Sequence, residues 1–179
     1  MKISTLTIKS QIVLGYCYAI GFLGFLMMPL LVSVFISEYG FSENTAGLIV
    51  LSELGMLAVV SISLATKVDK LPKRHLCIAG LAIFIFGNFI TLISEELGMV
   101  LLARGVTGLG AGLILTSVCA IASETNIPEK TYAFMNIMFG LLGGLVFALI
   151  PLVFEHFGEK NIFWLFIITA LILSPLVSC

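Results

Sequence analysis

Six long apolar runs separated by short polar connections constrain this chain most strongly. They are Ile12–Ile36, Ala46–Thr66, Leu76–Ile93, Leu97–Ile121, Tyr132–Phe154 and Ile162–Val177. A helix that spans a bilayer needs about 20 mostly apolar residues, whereas a barrel strand needs about 9–11 residues of alternating character. Backbone groups in hydrocarbon must be hydrogen-bonded within their own segment, so continuous runs of this length predict helices. We therefore expect an all-α, polytopic membrane protein with six transmembrane helices.

The balance of charged and apolar residues agrees with a membrane location. Only 11% of the 179 residues are charged and 60% are hydrophobic, whereas a soluble domain carries roughly 25% charged residues. The net charge of -1 provides no overall field that would attract nucleic acid. A signal peptide has an apolar core of about 7–15 residues, and the first run is longer than that. We therefore expect it to be a retained first span.

The basic residues lie mostly on one side of the predicted bundle. Short connections make consecutive spans antiparallel neighbours, and seven of the nine Lys and Arg residues then share the side of the N-terminus: Lys2, Lys9, Lys67, Lys70, Lys73, Arg74 and Lys130. The opposite side carries one cation and six acids: Lys160, Glu38, Glu43, Glu95, Glu96, Glu155 and Glu159. The positive-inside rule predicts that the N-terminus is cytoplasmic.

Two ionisable residues, Glu53 and Arg104, lie inside predicted spans. Charge in hydrocarbon is costly, so such residues usually face a cavity or a partner. At about 1.5 Å per residue, both lie roughly 10–12 Å below the acidic surface, a depth that permits an ion pair without requiring one. Arg104 is either a binding or proton-coupling group in an aqueous cavity or a structural cation that snorkels to the interface. Glu53 is either a proton carrier or a hydrogen-bonding group that packs helices.

Glycines cluster in the fourth and fifth runs. The fourth run holds Gly105, Gly108, Gly110 and Gly112, and the fifth holds Gly140, Gly143 and Gly144, followed by Pro151. At 100° per residue, Arg104, Gly108, Gly112 and Thr116 form one slowly drifting stripe. Small residues on such a stripe let another helix backbone approach closely. We expect these glycines to be helix-packing positions and Pro151 to permit a bend.

Residue patterns typical of enzymes are missing from the sequence. His75 and His156 fall on opposite sides of the predicted bundle, and there is no zinc-protease pattern, nucleophile elbow or phosphate-cradling loop. The four cysteines lack the close spacing of a metal or redox motif and are interpreted as small buried hydrophobic residues. We expect neither an enzyme nor a protein with a cofactor or a metal site.

The connection Ala65–Arg74 resembles a signature of the major facilitator superfamily of transporters, the loop 2–3 motif Gly-x-x-x-Asp-(Arg/Lys)-x-Gly-(Arg/Lys)-(Arg/Lys). The charged positions match through Asp69, Lys70, Lys73 and Arg74, whereas Ala65 and Pro72 stand where the family prefers glycine. The fourth run resembles the family's second signature, an arginine followed by spaced glycines: Arg104, Gly108, Gly110 and Gly112. The fifth run keeps the final glycine pair of the antiporter element Gly-Pro-x-x-Gly-Gly but not its proline, so symport and antiport both stay open.

This resemblance implies half of a twelve-helix fold. Each six-helix bundle of that fold consists of two inverted three-helix repeats, and the two bundles rock around a site at the membrane midplane. Residues 1–179 would be the N-terminal bundle, with the C-terminal bundle absent from the chain. Spans 1 and 4 would line the central cavity, spans 2 and 5 would meet the second bundle, and spans 3 and 6 would be peripheral. Asp69, Lys70, Lys73 and Arg74 would form a cytoplasmic gating network, and Arg104 would lie near the coupling site.

The function implied by the resemblance is secondary active transport of a small solute by alternating access, with proton coupling as the preferred driving force. The expected location is a bacterial inner membrane. The expected partners are the lipid bilayer, a small-molecule substrate, protons, and either the missing half or a second copy of the chain. The alternative is a truncated or half-size membrane protein that assembles with a partner and performs no transport on its own.

Overall fold

The computed structural model describes the backbone of residues 7–178 and the side chains of residues 7–172. Lys2 and Cys179, which enter the sequence predictions, lie outside the described residues. The α-helices are α1 Ile8–Gly21, α2 Leu23–Leu26, α3 Met28–Ser37, α4 Glu43–Ala65, α5 Lys73–Ile93, α6 Leu97–Ser123, α7 Pro128–Phe157 and α8 Ile162–Ser178, with short 3-10 helices at Val68–Lys70 and Glu159–Asn161. Residues 7–178 contain no β-strand, and the all-α prediction is confirmed.

The helices make six consecutive spans. Four of them, α4 to α7, are each long and apolar enough to cross a membrane. The first span consists of α1, α2 and α3, which follow one another without a loop, and α8 is the sixth. The predicted six-span membrane protein is confirmed.

Four spans, the first, second, third and fifth, begin a few residues earlier than predicted. At α4, the hydroxyl of Ser42 accepts a hydrogen bond from the backbone N–H of Thr45, which satisfies one of the free donors of the first turn. At α7, Pro128 occupies the first turn, where a missing N–H costs nothing. The cations Lys73, Arg74 and Lys130 therefore belong to helical first turns rather than to loops.

The first span is interrupted, although the sequence predicted one continuous helix. The backbone leaves helical geometry at Phe22 (φ -98°, ψ 1°) and at Met27 (φ -91°, ψ 8°), with only the four residues of α2 between them. Pro29 explains the second break, because its ring clashes with the carbonyl of Phe25, four residues earlier, and offers no N–H to it. The first span is thus distorted near its middle, although helical hydrogen bonds continue across both positions.

The connections that follow the first, third and fifth spans (the odd-numbered connections) meet on one face of the bundle, which we call the acidic face. The hydroxyl of Ser37 donates a hydrogen bond to the carboxylate of Glu159, and Lys160 Nζ lies 3.4 Å from Glu95 Oε1. These contacts join the connections that follow the first, third and fifth spans. The even-numbered connections lie on the opposite, basic face, so consecutive spans are antiparallel as predicted.

Helix α6 is the centre of the bundle. It packs against α5, α4 and α1, while α7 packs against α1 and α5 packs against α8. The second span therefore lies on the fourth, and the fifth lies on the first, while the third and sixth pack on each other. The first three spans thus make contacts with the last three that correspond in reverse, the second with the fourth and the fifth with the first. Two inverted three-span repeats are expected to pack in this way, in agreement with the fold prediction.

Candidate functional site

Arg104 of α6 and Glu53 of α4 form an ion pair in the interior of the bundle. Arg104 Nη2 donates a hydrogen bond to Glu53 Oε2. The exposed fraction is 0% for Arg104 and 2% for Glu53. An arginine guanidinium keeps its proton in proteins, so the carboxylate of Glu53 is its counter-ion. The sequence left the pairing of these two residues open, and the structure brings them together.

Two glycines let neighbouring backbones reach Glu53. A Cβ at Gly108 would lie only 2.8 Å from the carbonyl carbon and 2.9 Å from the Cα of Glu53, so α6 and α4 touch along their backbones at this level. A Cβ at Gly24 would lie 2.9 Å from Glu53 Cδ. Gly24 belongs to α2, so the carboxyl group lies directly against the interrupted part of the first span.

Asn88 of α5 is a third polar member of the site that sequence reasoning missed. Arg104 Nη1 donates to Asn88 Oδ1 at 3.0 Å, and Asn88 Nδ2 donates to the carbonyl oxygen of Phe84 at 2.9 Å. Its exposed fraction is 0%. The available signal was a lone amide side chain within an apolar run, because a polar group buried in a span needs a partner.

Aromatic side chains cover the ion pair on the side of the acidic face. The ring of Phe163 faces the guanidinium of Arg104, with 5.6 Å from Cζ to the ring centroid, a cation–π contact. The rings of Phe35 and Tyr39 pack against Phe163, and the Tyr39 hydroxyl donates to the carbonyl oxygen of Thr91 at 2.7 Å. We call Phe35, Tyr39 and Phe163 the aromatic cap.

The aromatic cap closes the Arg104 site towards the acidic face. The guanidinium is fully buried in this structure and contacts Glu53 of α4, Asn88 of α5 and Phe163 of α8. The roles predicted for Arg104 and Glu53 stay predictions. Arg104 is about seven residues from the start of α6, which places it about 10 Å below the acidic face, too deep to snorkel past the packed rings. Burial raises the pKa of the Tyr39 phenol above its ordinary value, while the nearby charge of Arg104 acts in the opposite direction.

The predicted packing glycines differ in their surroundings. A Cβ at Gly110 would meet the Gly80 carbonyl oxygen at 2.7 Å, one at Gly112 would meet the Leu57 carbonyl oxygen at 3.0 Å, and one at Gly143 would overlap the side chain of Leu26. Among the described residues, no atom outside the glycine's own stretch of helix lies within 4 Å of a Cβ built at the remaining three positions, Gly105, Gly140 and Gly144. Close packing at these three stays a prediction that contacts inside this bundle do not support.

The predicted gating residues lie at the basic face, far from the ion pair. Lys73 Nζ is 2.6 Å from Glu124 Oε1 at the end of α6 and 3.9 Å from Asp69 Oδ1. The side chain of Asp69 is 78% exposed, and Lys70 and Arg74 are exposed as well. Glu124 is a partner that the sequence signature did not reveal. The gating role itself stays a prediction.

A cavity of about 500 Å³ opens between the first, second, fourth and fifth spans near the basic face. The residues that line it include two aromatic residues, two hydroxyl-bearing residues and one acid: Phe22, Tyr132, Ser61, Thr116 and Asp69. Pockets for small organic ligands have volumes of about 300–1,000 Å³ and are mostly apolar with a few polar groups. The cavity therefore has the size and mixed chemistry of a solute-binding surface.

The fold and the buried charges define an integral, multi-pass, all-α membrane protein. The profile of the Major Facilitator Superfamily matches residues 14–179, and the chain belongs to this family. It is 28% identical over 162 residues to the inner membrane transport protein YajR of Escherichia coli (strain K12), which covers 88% of this chain and 35% of YajR. It is 26% identical over 132 residues to the quinolone resistance protein NorA of Staphylococcus aureus (strain MRSA252), which covers 72% of this chain and 34% of NorA. The chain thus spans about a third of the length of these relatives.

Proposed function

We propose that this chain is the N-terminal six-helix bundle of a twelve-helix secondary transporter, which moves a small solute by alternating access. Membership of the family supports membrane transport of a solute. The six spans and the one-third coverage of both relatives support a bundle that works with a second one. The name of YajR supports a bacterial inner membrane, and the basic face supports a cytoplasmic N-terminus.

The observation that carries the mechanism is the enclosed ion pair beside the distorted middle of the first span. An ionisable group inside a membrane is a default functional candidate. In this proposal, Glu53 carries the transported proton and Arg104 is its fixed counter-charge. When Glu53 takes up a proton, the ionic attraction between α4 and α6 is lost. The close contact of Glu53 with Gly24 transmits that change to the first span.

We assign solute contact to the cavity near the basic face. It is walled by the first and fourth spans, with aromatic rings and hydroxyls that suit an organic solute with apolar and polar parts. NorA is named for quinolone resistance, which makes a quinolone a reasonable first probe. The transport assay decides between symport, in which protons move with the solute, and antiport, in which they move against it.

The gating network completes the proposal on the basic face. Lys73 joins the start of α5 to the end of α6 through Glu124, which leaves the exposed carboxylate of Asp69 to close against the second bundle. In the outward-facing state this contact would keep the cytoplasmic side shut. Asp69→Asn in the full-length protein should therefore shift the balance of inward and outward states, and an unchanged balance in cross-linking experiments would contradict the gating role.

Transport by the full-length protein tests the proposal. Proteoliposomes with an imposed pH gradient are screened with radiolabelled organic solutes, including a quinolone, and the accumulated solute is then used for variants. We expect Arg104→Ala to abolish gradient-driven accumulation while the protein still elutes as a single peak in size exclusion. Glu43→Gln, an exposed acid in the first turn of the same helix as Glu53, is the matched control and should retain uptake. Unchanged uptake by Arg104→Ala would contradict the assigned role.

The alternative function, assembly without transport, gives a different result. Chemical cross-linking in native membranes would then trap a homodimer of the 179-residue chain, and no solute would accumulate in any proteoliposome assay. A product that carries six further spans and accumulates solute favours the transporter.

A further inference from the structure

Asn88 lies where it can hold Arg104 independently of Glu53. The guanidinium uses separate nitrogens for its two hydrogen-bonded partners, Nη2 for Glu53 and Nη1 for Asn88. These partners come from different helices, α4 and α5. The Asn88 amide is neutral, so its hydrogen bond to the cation persists whether or not Glu53 carries a proton.

The orientation of the Asn88 amide is fixed by its own helix. Its Nδ2 donates to the carbonyl oxygen of Phe84 at 2.9 Å, which directs Oδ1, the acceptor, towards Arg104. The ring of Phe163 contacts the same guanidinium from α8. Two partners that cannot titrate therefore hold the cation from the third and sixth spans, the two that the family resemblance makes peripheral.

We infer that Asn88 is a positioning residue that keeps Arg104 stationary through both protonation states of Glu53, so that proton uptake releases α4 rather than the arginine. This inference rests on the proposed function, because it specifies which side of the ion pair moves. The titratable groups at the pair are Glu53, Arg104 and Tyr39, whose phenol senses the Arg104 charge. Tyr39 also senses Glu38 and Glu95 and contacts Lys160, three charges of the acidic face. The other walls contribute Asn88, Phe163 and Gly24, which do not titrate.

The composition of the chain allows the guanidinium to be observed directly. The chain has only two arginines, Arg74 and Arg104, so ¹⁵N-arginine labelling in lipid nanodiscs gives two sets of side-chain NMR signals, and Arg74→Lys assigns them. Glu53→Gln mimics the protonated state. The comparison is between Glu53→Gln and the double variant Glu53→Gln/Asn88→Ser. We expect the Arg104 Nη protons to exchange with solvent at least about ten times more slowly in the single variant, a ratio equivalent to about 1.4 kcal/mol.

Serine is chosen at position 88 because its hydroxyl can bond the Phe84 carbonyl, as the Thr91 hydroxyl bonds the Gly87 carbonyl, but is too short to reach Arg104. Asn88→Leu is the second variant if the serine protein does not fold. Thr91→Val is the matched control, because Thr91 is equally buried on α5 and its side chain bonds only its own helix. Equal exchange rates with and without the amide would overturn the inference.

A transport readout separates a positioning role from a merely structural one. Without Asn88, protonation of Glu53 leaves the buried cation with only a neutral carboxyl oxygen as acceptor among the described residues, so the protonated state becomes harder to reach. The pH profile of transport by full-length Asn88→Ser should therefore move by about one unit towards acid, whereas Thr91→Val should leave it in place.

If the wild-type protein transports nothing, the proposed function fails while the NMR comparison still decides the role of Asn88. An unmoved profile together with equal exchange rates refutes the role of Asn88 alone.

Discussion

The two members of the ion pair should respond unequally to removal, because only one of them can become neutral. Glu53→Leu leaves a guanidinium that is fully buried and cannot lose its proton. Removing one partner of a buried ion pair costs about 3–5 kcal/mol, which for a chain of this size lowers Tm by roughly 6–20 °C. Arg104→Leu leaves a carboxyl group, which escapes the penalty by binding a proton. We therefore expect Arg104→Leu to be less destabilised than Glu53→Leu.

Thermal denaturation in detergent micelles, followed by fluorescence-detected size exclusion, measures the stability of each variant. The double variant Glu53→Leu/Arg104→Leu should recover at least about 2 kcal/mol relative to Glu53→Leu, since a hydrophobic replacement of a buried pair is often neutral. Glu43→Leu provides the exposed control on α4 and should change stability by about 0.5 kcal/mol or less. Equal losses of stability in the two single variants would refute this account of the pair.

Three further predictions concern other parts of the bundle. Gly108→Ala should cost more than about 2 kcal/mol in thermal denaturation, because its Cβ would lie 2.8 Å from a backbone atom of α4, whereas Gly105→Ala, with open space around it, should gain helix propensity of up to about 1 kcal/mol. Lys73→Glu should lower stability by about 1 kcal/mol through loss of its contact with Glu124, and Glu124→Lys in the same chain should restore most of it. Tyr39→Phe should lose about 1 kcal/mol with its hydrogen bond.

Controls for these predictions use the same denaturation assay. If the two glycine variants are equally stable, the close approach of α4 and α6 is wrong. If the charge-reversed pair is no better than the Lys73 variant, the salt bridge contributes nothing. Burial raises the pKa of Tyr39. The neutral phenol therefore stabilises the fold fully at any pH below the ordinary tyrosine pKa of about 10. This stabilisation is lost as the pH rises through the raised pKa of the folded protein. Tyr39→Phe should remove that alkaline loss, and an identical loss in both proteins would contradict the prediction.

The sequence was sufficient for the spans because hydrocarbon leaves few choices. A run such as Ala46–Thr66 must form a helix in a membrane, and the observed α4 differs from it by three residues at its start and one at its end. Arg104 and Glu53 were identified for the same reason, since charge in a span needs a partner. Local patterns therefore determined both the fold class and the two charged members of the site.

The remaining parts of the site depend on contacts between distant segments. Asn88 is one amide in an apolar run, and only the packing of α5 on α6 places it beside Arg104. The aromatic cap depends on Phe163, which is 59 positions from Arg104 and faces it because α8 packs against α5. The interruption at Phe22 and Met27 had a visible signal in Pro29, but its meaning depends on Glu53 lying against Gly24. The periodicity of the sequence gives no information about these distances between residues of different helices.

The most direct measurement of the central claim compares driven uptake with exchange in Glu53→Gln proteoliposomes. The glutamine keeps a hydrogen-bond acceptor for Arg104 but cannot carry a proton, so the full-length variant should still exchange labelled for unlabelled solute across the membrane. Its accumulation ratio should no longer increase when a pH gradient is imposed. Accumulation by Glu53→Gln that follows the pH gradient as in the wild-type protein would show that Glu53 does not carry the coupled proton.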